Sequence, residues 1–215
     1  VEEALRLDNL SRREAYKETL RLFTEVQMPD AERQMQRFPH ELSGGMRQRV
    51  MISMMLARNP KLLIADEPTT ALDVTIEAQI MDILLGLKKR YNTAILLITH
   101  NFGIVAETAD RIAVMYAGQL VEQGSVFEVF DAPTHPYTRM LLKALPREPK
   151  SAGRLQTIDG SVPRLIGVAA GCRFANRCPL AKEICSREDP PINAVSGTHT
   201  YSCHFGKEAL AWENR

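Results

Sequence analysis

The chain has 215 residues, of which 45% are apolar and 25% charged; Lys plus Arg number 27 against Asp plus Glu 26, a formal charge of +1. This is the balance of a globular protein with one large domain or two small ones, and it lacks the basic excess that marks a nucleic-acid binder. No apolar run approaches the ~18 residues of a membrane span, and no secretory signal opens the sequence, which begins at Val1 rather than methionine.

The first 40 residues are rich in charge and helix formers. Tyr16, Leu20, Phe23 and Gln27 fall at i, i+4, i+7 and i+11 and put one mostly apolar face on a helix. Two helices are expected here, broken near Asp8–Ser11 and again at Pro29. After Phe38-Pro39-His40, a helix should run from Gly45 to about Arg58, where Asn59-Pro60 stops it. The apolar runs Leu62–Ala65 and Ala94–Ile98 read as strands, and Ile76, Ile80, Ile83, Leu84 and Leu87 as the face of a helix between them. This is a β-α-β unit of a parallel sheet covered on both faces. Arg111–Tyr116, Ala117-Gly118 and Gln119–Gln123 predict a hairpin, and Pro133 to Leu145 a further helical piece. From Pro146 to Gly171 the composition shifts to that of a linker or irregular lobe. The last 44 residues hold all four cysteines, with Trp212 the only tryptophan.

Chemistry gathers at the carboxyl ends of parallel strands. Asp66, Glu67 and His100 are placed there. One carboxylate can hold Mg²⁺ and the other can orient or deprotonate water, while the histidine can donate to a transferring phosphoryl oxygen. Ser43-Gly44-Gly45 opens a helix, where backbone N–H groups and the helix dipole suit a phosphate. Each of these features alone also has a bland reading, as an N-cap, a solvated strand end or a structural histidine.

Their order is specific. Leu42–Gln48, with Ser43, Gly44, Gly45 and Gln48, resembles the signature motif of ATP-binding cassette (ABC) transporter subunits. Leu62–Glu67 resembles Walker B with its adjacent glutamate, Ala71-Leu72-Asp73 the D-loop, and His100 the switch histidine. The resemblance implies an α/β, P-loop NTPase fold of ABC type with a helical signature subdomain. It further implies a head-to-tail pair of ATPase subunits, identical or homologous, with two ATP sites at their interface. In that arrangement Asp66 holds Mg²⁺, Glu67 is the general base and His100 binds the γ-phosphate. Ser43, Gly44 and Gly45 complete the opposite subunit's site, and Asp73 couples the two sites.

One departure is large. The phosphate-cradling G-x-x-x-x-G-K-[ST] of the family is missing. Only Gly206 precedes a lysine, and Tyr201 stands where the first glycine should be. A glutamine loop is not identifiable. The sequence therefore reads as the carboxyl-terminal part of a longer ATPase, and this piece alone is expected to be inactive.

Cys172, Cys178, Cys185 and Cys203 give C-x5-C-x6-C-x17-C. Four thiols in a loop-rich lobe suit a tetrahedral metal or an iron–sulfur cluster, and His199 and His204 could replace a thiol in a zinc site. The spacing does not choose between them. The segment Pro133–Pro146, with Gly160–Pro163 and Gly171–Pro179, is similar to the carboxyl-terminal extension of oligopeptide/dipeptide permease ATPases. That resemblance implies a [4Fe–4S] cluster on the four cysteines. It also implies import of dipeptides or oligopeptides, or of nickel or glutathione, across the cytoplasmic membrane. The partners implied are a second ATPase subunit, transmembrane permease subunits and, indirectly, a substrate-binding protein, with this chain peripheral on the cytoplasmic face. No nucleic acid is implied. The expected organisation is an ABC ATPase domain over 1–132, with helical and signature parts at 1–58 and the Walker B and switch region at 59–132, then the cysteine-bearing extension over 133–215. Two other readings compete. One is a non-hydrolytic iron–sulfur or interaction module, favoured by the missing Walker A. The other is a soluble non-transport ABC ATPase, for which coiled-coil arms or a second cassette would be expected and are not seen.

Overall fold

The computed structural model describes residues 1–7, 9–70, 72–145, 158–163 and 170–211. Asp8, Ala71, the linker residues from Pro146 to 157 and Trp212 lie outside the described residues. The chain divides into two compact units, Val1–His100 and Asn101–Arg215.

The first unit opens with α1 (Glu2–Arg6) and α2 (Arg12–Glu25). Ser11 starts α2 through a capping box: its Oγ accepts the Glu14 N–H at 3.3 Å, and the Glu14 carboxylate accepts the Ser11 N–H at 2.9 Å. The buried stripe of α2 is Ala15, Thr19, Leu22 and Phe23. It is rotated from the expected face, leaving Tyr16 exposed. A third short helix, α3 (Ala31–Gln34), follows Pro29 and had no periodic signal in so few residues.

Helix α4 (Gly44–Leu56) buries Arg49, Ile52, Ser53 and Leu56, at i, i+3, i+4 and i+7. The Arg49 guanidinium donates to the Val26 carbonyl at 2.5 Å, the Gln27 carbonyl at 3.0 Å and the Gln79 side chain at 2.9 Å. A buried charge is tolerated only when its donors are satisfied in this way. Arg49 thus ties α4 to the end of α2 and to α5 (Val74–Tyr91).

Strands β1 (Leu62–Asp66) and β2 (Ala94–Ile98) are parallel and pair from Leu62↔Ala94 to Asp66↔Ile98, with α5 as the crossover. Asn92 ends α5 in the left-handed region at φ 49°, and Lys88, Lys89 and Arg90 fill its last turn, where the dipole favours cations. The expected burial of both sheet faces is corrected here. Leu63 and Ala65 are buried, but Leu62, Ile64, Leu96 and Ile98 are each about half exposed. A two-stranded sheet has a covered face and an open one, and these four residues share the open one.

The second unit begins with α6 (Phe102–Thr108), capped by the Asn101 side chain. The predicted hairpin is present as β3 (Arg111–Tyr116) and β4 (Gln119–Ser125). Ala117 and Gly118 both take positive φ, 47° and 78°, as a two-residue I′ turn demands. Then come α7 (Val126–Asp131), α8 (Pro136–Lys143), α9 (Glu183–Arg187), β5 (Ile192–Ala194), β6 (Thr200–Ser202) and α10 (Gly206–Leu210). The sheet order is β3-β4-β6-β5, all antiparallel, with β6 on β4 through Glu122↔Tyr201 and Gln123↔Thr200. This pairing puts the hairpin and the cysteine region into one compact unit.

Val114, Tyr116, Val121, Val129 and Phe174 form the core of this unit. The Tyr116 and Tyr137 rings lie 4.7 Å apart, and those of Tyr116 and Phe174 5.1 Å in an edge-to-face contact. Beside the core lies a buried polar knot. Glu122 accepts from the Thr134 N–H at 2.6 Å, the His135 N–H at 2.9 Å and His199 Nε2 at 2.7 Å. Gly206, the one glycine followed by lysine, is a packing residue: a Cβ there would come within 2.0 Å of the Tyr201 ring. Among the described residues no helix is long and apolar enough to cross a membrane.

Candidate functional site

Strand β1 delivers Asp66 at its last position, exposed, and Glu67 one residue beyond. Glu67 sits at φ 43°, a region that strains a residue with a side chain. Its N–H still donates to the Ile98 carbonyl at 2.9 Å, so the turn is held against the end of β2. From there the Glu67 carboxylate accepts the Thr70 hydroxyl at 2.7 Å and contacts His100 Nδ1 at 3.2 Å. The Thr70 hydroxyl, and after it His100, hold the Glu67 carboxyl below the usual carboxylate range. It is therefore ionised at neutral pH and can only accept, which makes His100 Nδ1 the donor. Side chains of both residues stay open to solvent, 82% exposed for His100 and 47% for Glu67. A pair this open adds little to stability and is free to meet a ligand. Thr70 was missed by sequence reasoning; its signal is a hydroxyl three residues after the acid, across Pro68.

Ser43 caps α4, its Oγ accepting the Met46 N–H at 3.3 Å. Gly44 and Gly45 form the first turn, and Gln48 lies one turn on, half-buried. Both glycines sit in close approach, most tightly Gly45. A Cβ on Gly44 would stand 3.1 Å from Leu72 Cδ2, and one on Gly45 2.7 Å from Ile76 Cγ2. Asp73 lies between those neighbours and caps α5 by accepting the Ile76 N–H at 2.9 Å. The signature turn and the Asp73 segment are thus packed as one piece, and the Glu67–His100 pair is a separate contact in the same unit. Gly45→Ala is expected to destabilise the unit by about 1–3 kcal/mol from overpacking, less up to about 1 kcal/mol of helix propensity. Adding Ile76→Ala should cancel the overpacking term, read as non-additivity in a double-mutant cycle of denaturant midpoints; plain additivity would contradict it.

In the second unit Cys172, Cys178, Cys185 and Cys203 line one cavity, together with His135 and Phe174. All four thiols are free. Burial pushes Cys178 up to about 12 and Cys203 to about 11, and raises Cys172. Backbone N–H groups point at the sulfurs: those of Phe174 and Ala175 at Cys172, that of Leu180 at Cys178, and that of Phe205 at Cys203. Gly171, at φ 104°, allows the Cys172 N–H to meet the Cys185 carbonyl at 2.7 Å, where a Cβ would come equally close to that oxygen. Among the described residues no group of three or more His, Cys, Asp or Glu is arranged to hold a metal ion. His204 lines the cavity, with Nε2 3.2 Å from the Glu188 carbonyl. His199 is a different matter from the zinc ligand considered above, because its Nε2 is engaged by Glu122.

Two family models match the chain: ABC transporter over residues 2–70, and oligopeptide/dipeptide transporter, C-terminal region, over residues 121–185. The fold and the motifs define an ATP-binding cassette of the ABC class. The chain is 50% identical over 201 residues to the oligopeptide transport ATP-binding protein OppD of Salmonella typhimurium, and 52% identical over 202 residues to that of Escherichia coli. Each alignment takes in 94% of this chain and 60% of the relative, so the chain spans about 60% of the length of the curated relatives it matches. Among solved structures it is similar to cbiO1 from Clostridium perfringens, part of the ABC transporter complex cbiONQ. That similarity has a TM-score of 0.51 and 33% identity over 57% of this chain and 47% of that one. Within the ABC class, the chain is similar to ATP-binding subunits of the oligopeptide/dipeptide transporter branch.

Proposed function

We propose that this chain provides the signature and hydrolytic elements of an ATP-binding subunit that powers import of peptides across the cytoplasmic membrane. The observation that carries the reading is the 3.2 Å contact between Glu67 and His100 Nδ1, one residue beyond Asp66 at the end of β1.

The exposed Asp66 carboxylate suits Mg²⁺, a hard cation that takes oxygen ligands and supplies charge neutralisation on the transferring phosphate. Glu67, ionised and steered by Thr70 and His100, orients the attacking water and takes its proton. His100 donates Nδ1–H to Glu67, so it can give a second hydrogen bond to the γ-phosphoryl oxygen only as the imidazolium. Ser43, Gly44, Gly45 and Gln48 present the amino end of α4 to the ATP held by a second ATPase subunit, and Asp73 links that surface to α5. The functional division is the ATPase part, 1–132, and the extension, 133–215. The partners are that second subunit, the permease pair in the membrane and, through them, a substrate-binding protein, with the chain peripheral on the inner face.

The cysteine cavity belongs to the same proposal, as the seat of a [4Fe–4S] cluster held by Cys172, Cys178, Cys185 and Cys203. The donor set has the chemistry such a group takes, although among the described residues no group of His, Cys, Asp or Glu is arranged to hold a metal ion. Four thiols, two buried and two half-buried, line one cavity, and backbone N–H groups aimed at the Cys172, Cys178 and Cys203 sulfurs offset thiolate charge. Thiols raised this far stay protonated until a cation draws off their protons. ATP hydrolysis needs no electron from the site, so its role is structural or regulatory.

The test is His100→Ala in an assembled ATPase that supplies the phosphate-binding loop. Turnover should fall by about 10²–10³-fold, the usual loss for one donor to developing charge, with nucleotide still bound. Unchanged turnover would remove His100 from the site.

A further inference from the structure

Glu67 opens a turn that folds back on it. Its N–H is held by the Ile98 carbonyl at 2.9 Å, and its own carbonyl accepts the Thr70 N–H at 3.1 Å. Pro68 stands at the second position of that turn, where its ring presets φ. The residues around Thr70 are tied down as well. The Thr69 hydroxyl donates to the Glu77 carboxylate on α5 at 2.6 Å, and the Thr69 carbonyl accepts the Leu72 N–H at 3.1 Å. Thr70 is thus carried on an anchored turn, and its branched side chain has few χ1 choices. Its hydroxyl is a preorganised donor, three residues along the chain from the carboxylate that it meets.

The two groups on the Glu67 carboxylate are unequal. Thr70 Oγ1 reaches Oε2 at 2.7 Å, the length of a charge-assisted hydroxyl–carboxylate bond. His100 Nδ1 stands 3.2 Å from Oε1, longer than the about 2.7–2.9 Å of a charge-assisted N–H donor, and its side chain is 82% exposed. Resting on the reading of Glu67 as the general base, we propose that Thr70 is the positioning residue that orients this base, which leaves His100 for the phosphate. The last torsion of a glutamate is broad, and one short bond to Oε2 fixes it. A carboxylate has about four acceptor sites, so the sites that Thr70 and His100 leave open face the attacking water in one orientation. A hydroxyl achieves this without setting a charge beside the base.

The test is single-turnover hydrolysis beside equilibrium ATP binding, in an assembled ATPase that supplies the phosphate-binding loop, with Thr70→Val and Thr70→Ser. Thr70 is exposed, and valine keeps its branched shape without the donor. Thr70→Val should slow the chemical step by up to about 10²-fold, the scale of a misplaced reacting group, with ATP affinity kept. Thr70→Ser, which keeps the hydroxyl, should restore most of the rate. In a Glu67→Gln background Thr70→Val should slow the residual rate no further, because no base is left to orient. A wild-type rate in Thr70→Val, an equal loss in both backgrounds, or a serine variant as slow as the valine one would overturn Thr70 as the positioning residue. Wild-type turnover by Glu67→Gln alone would overturn the reading of Glu67 as the base instead. If Thr70→Val does not assemble, Thr70→Ala takes its place in the same comparison.

Discussion

Glu67→Gln is expected to lower ATP turnover by about 10²–10⁴-fold, the range supplied by a positioned general base, while nucleotide affinity is kept. The amide has the shape of the carboxylate and can still accept the Thr70 hydroxyl that lies 2.7 Å from Glu67. It loses the charge that draws the proton from water. The loss therefore falls on the chemical step. Single-turnover hydrolysis beside equilibrium binding of ATP, both in an assembled ATPase with its phosphate-binding loop, separates the two. Turnover at the wild-type rate would place the base elsewhere.

Replacement of any one of Cys172, Cys178, Cys185 or Cys203 by serine is expected to abolish the proposed cluster as a whole, since a cluster of this type is held by four thiolates. The damage should extend beyond the metal. Cys172 and Cys185 are joined by a 2.7 Å backbone hydrogen bond, and Cys203 follows β6 directly. The segment around Phe174 should become sensitive to protease, because metal binding is part of the folding free energy of such a region. Iron analysis, the visible spectrum and limited proteolysis of anaerobic protein read both effects. Zinc at one per chain without iron would replace the cluster with a four-thiol zinc site. Cysteines freely alkylated in the native protein would remove both.

The two regions differ in how much could be read from residue order. In the first unit the β-α-β segment, the start of α4 and the turn after β1 follow from local signals: an apolar run ended by Asp66-Glu67, a serine cap, and glycines where Leu72 and Ile76 approach. The contact of Glu67 with His100 follows from parallel pairing of two strands, each followed within two residues by the polar side chain. What could not be read is set by distant partners. Glu122 meets His199 across 77 positions, and β4 takes β6 as its neighbour although, among the described residues, α7, α8, α9 and β5 intervene. No periodicity encodes such pairings. Helices α6 and α7, of 7 and 6 residues, are too short for a periodic pattern and are fixed by the caps at Asn101 and Ser125. His135 shows the same limit. In the sequence it precedes a proline and reads as a helix cap, and only the fold brings it to the cysteines.

The most direct measurement is ATP-driven peptide uptake into proteoliposomes holding the assembled transporter. Labelled peptide should accumulate with ATP and magnesium, and accumulation and phosphate release should fall together when Glu67→Gln is introduced. Uptake that continues undiminished in the Glu67→Gln transporter, or phosphate release that persists at the wild-type rate, would contradict the assignment of this chain as the hydrolytic engine.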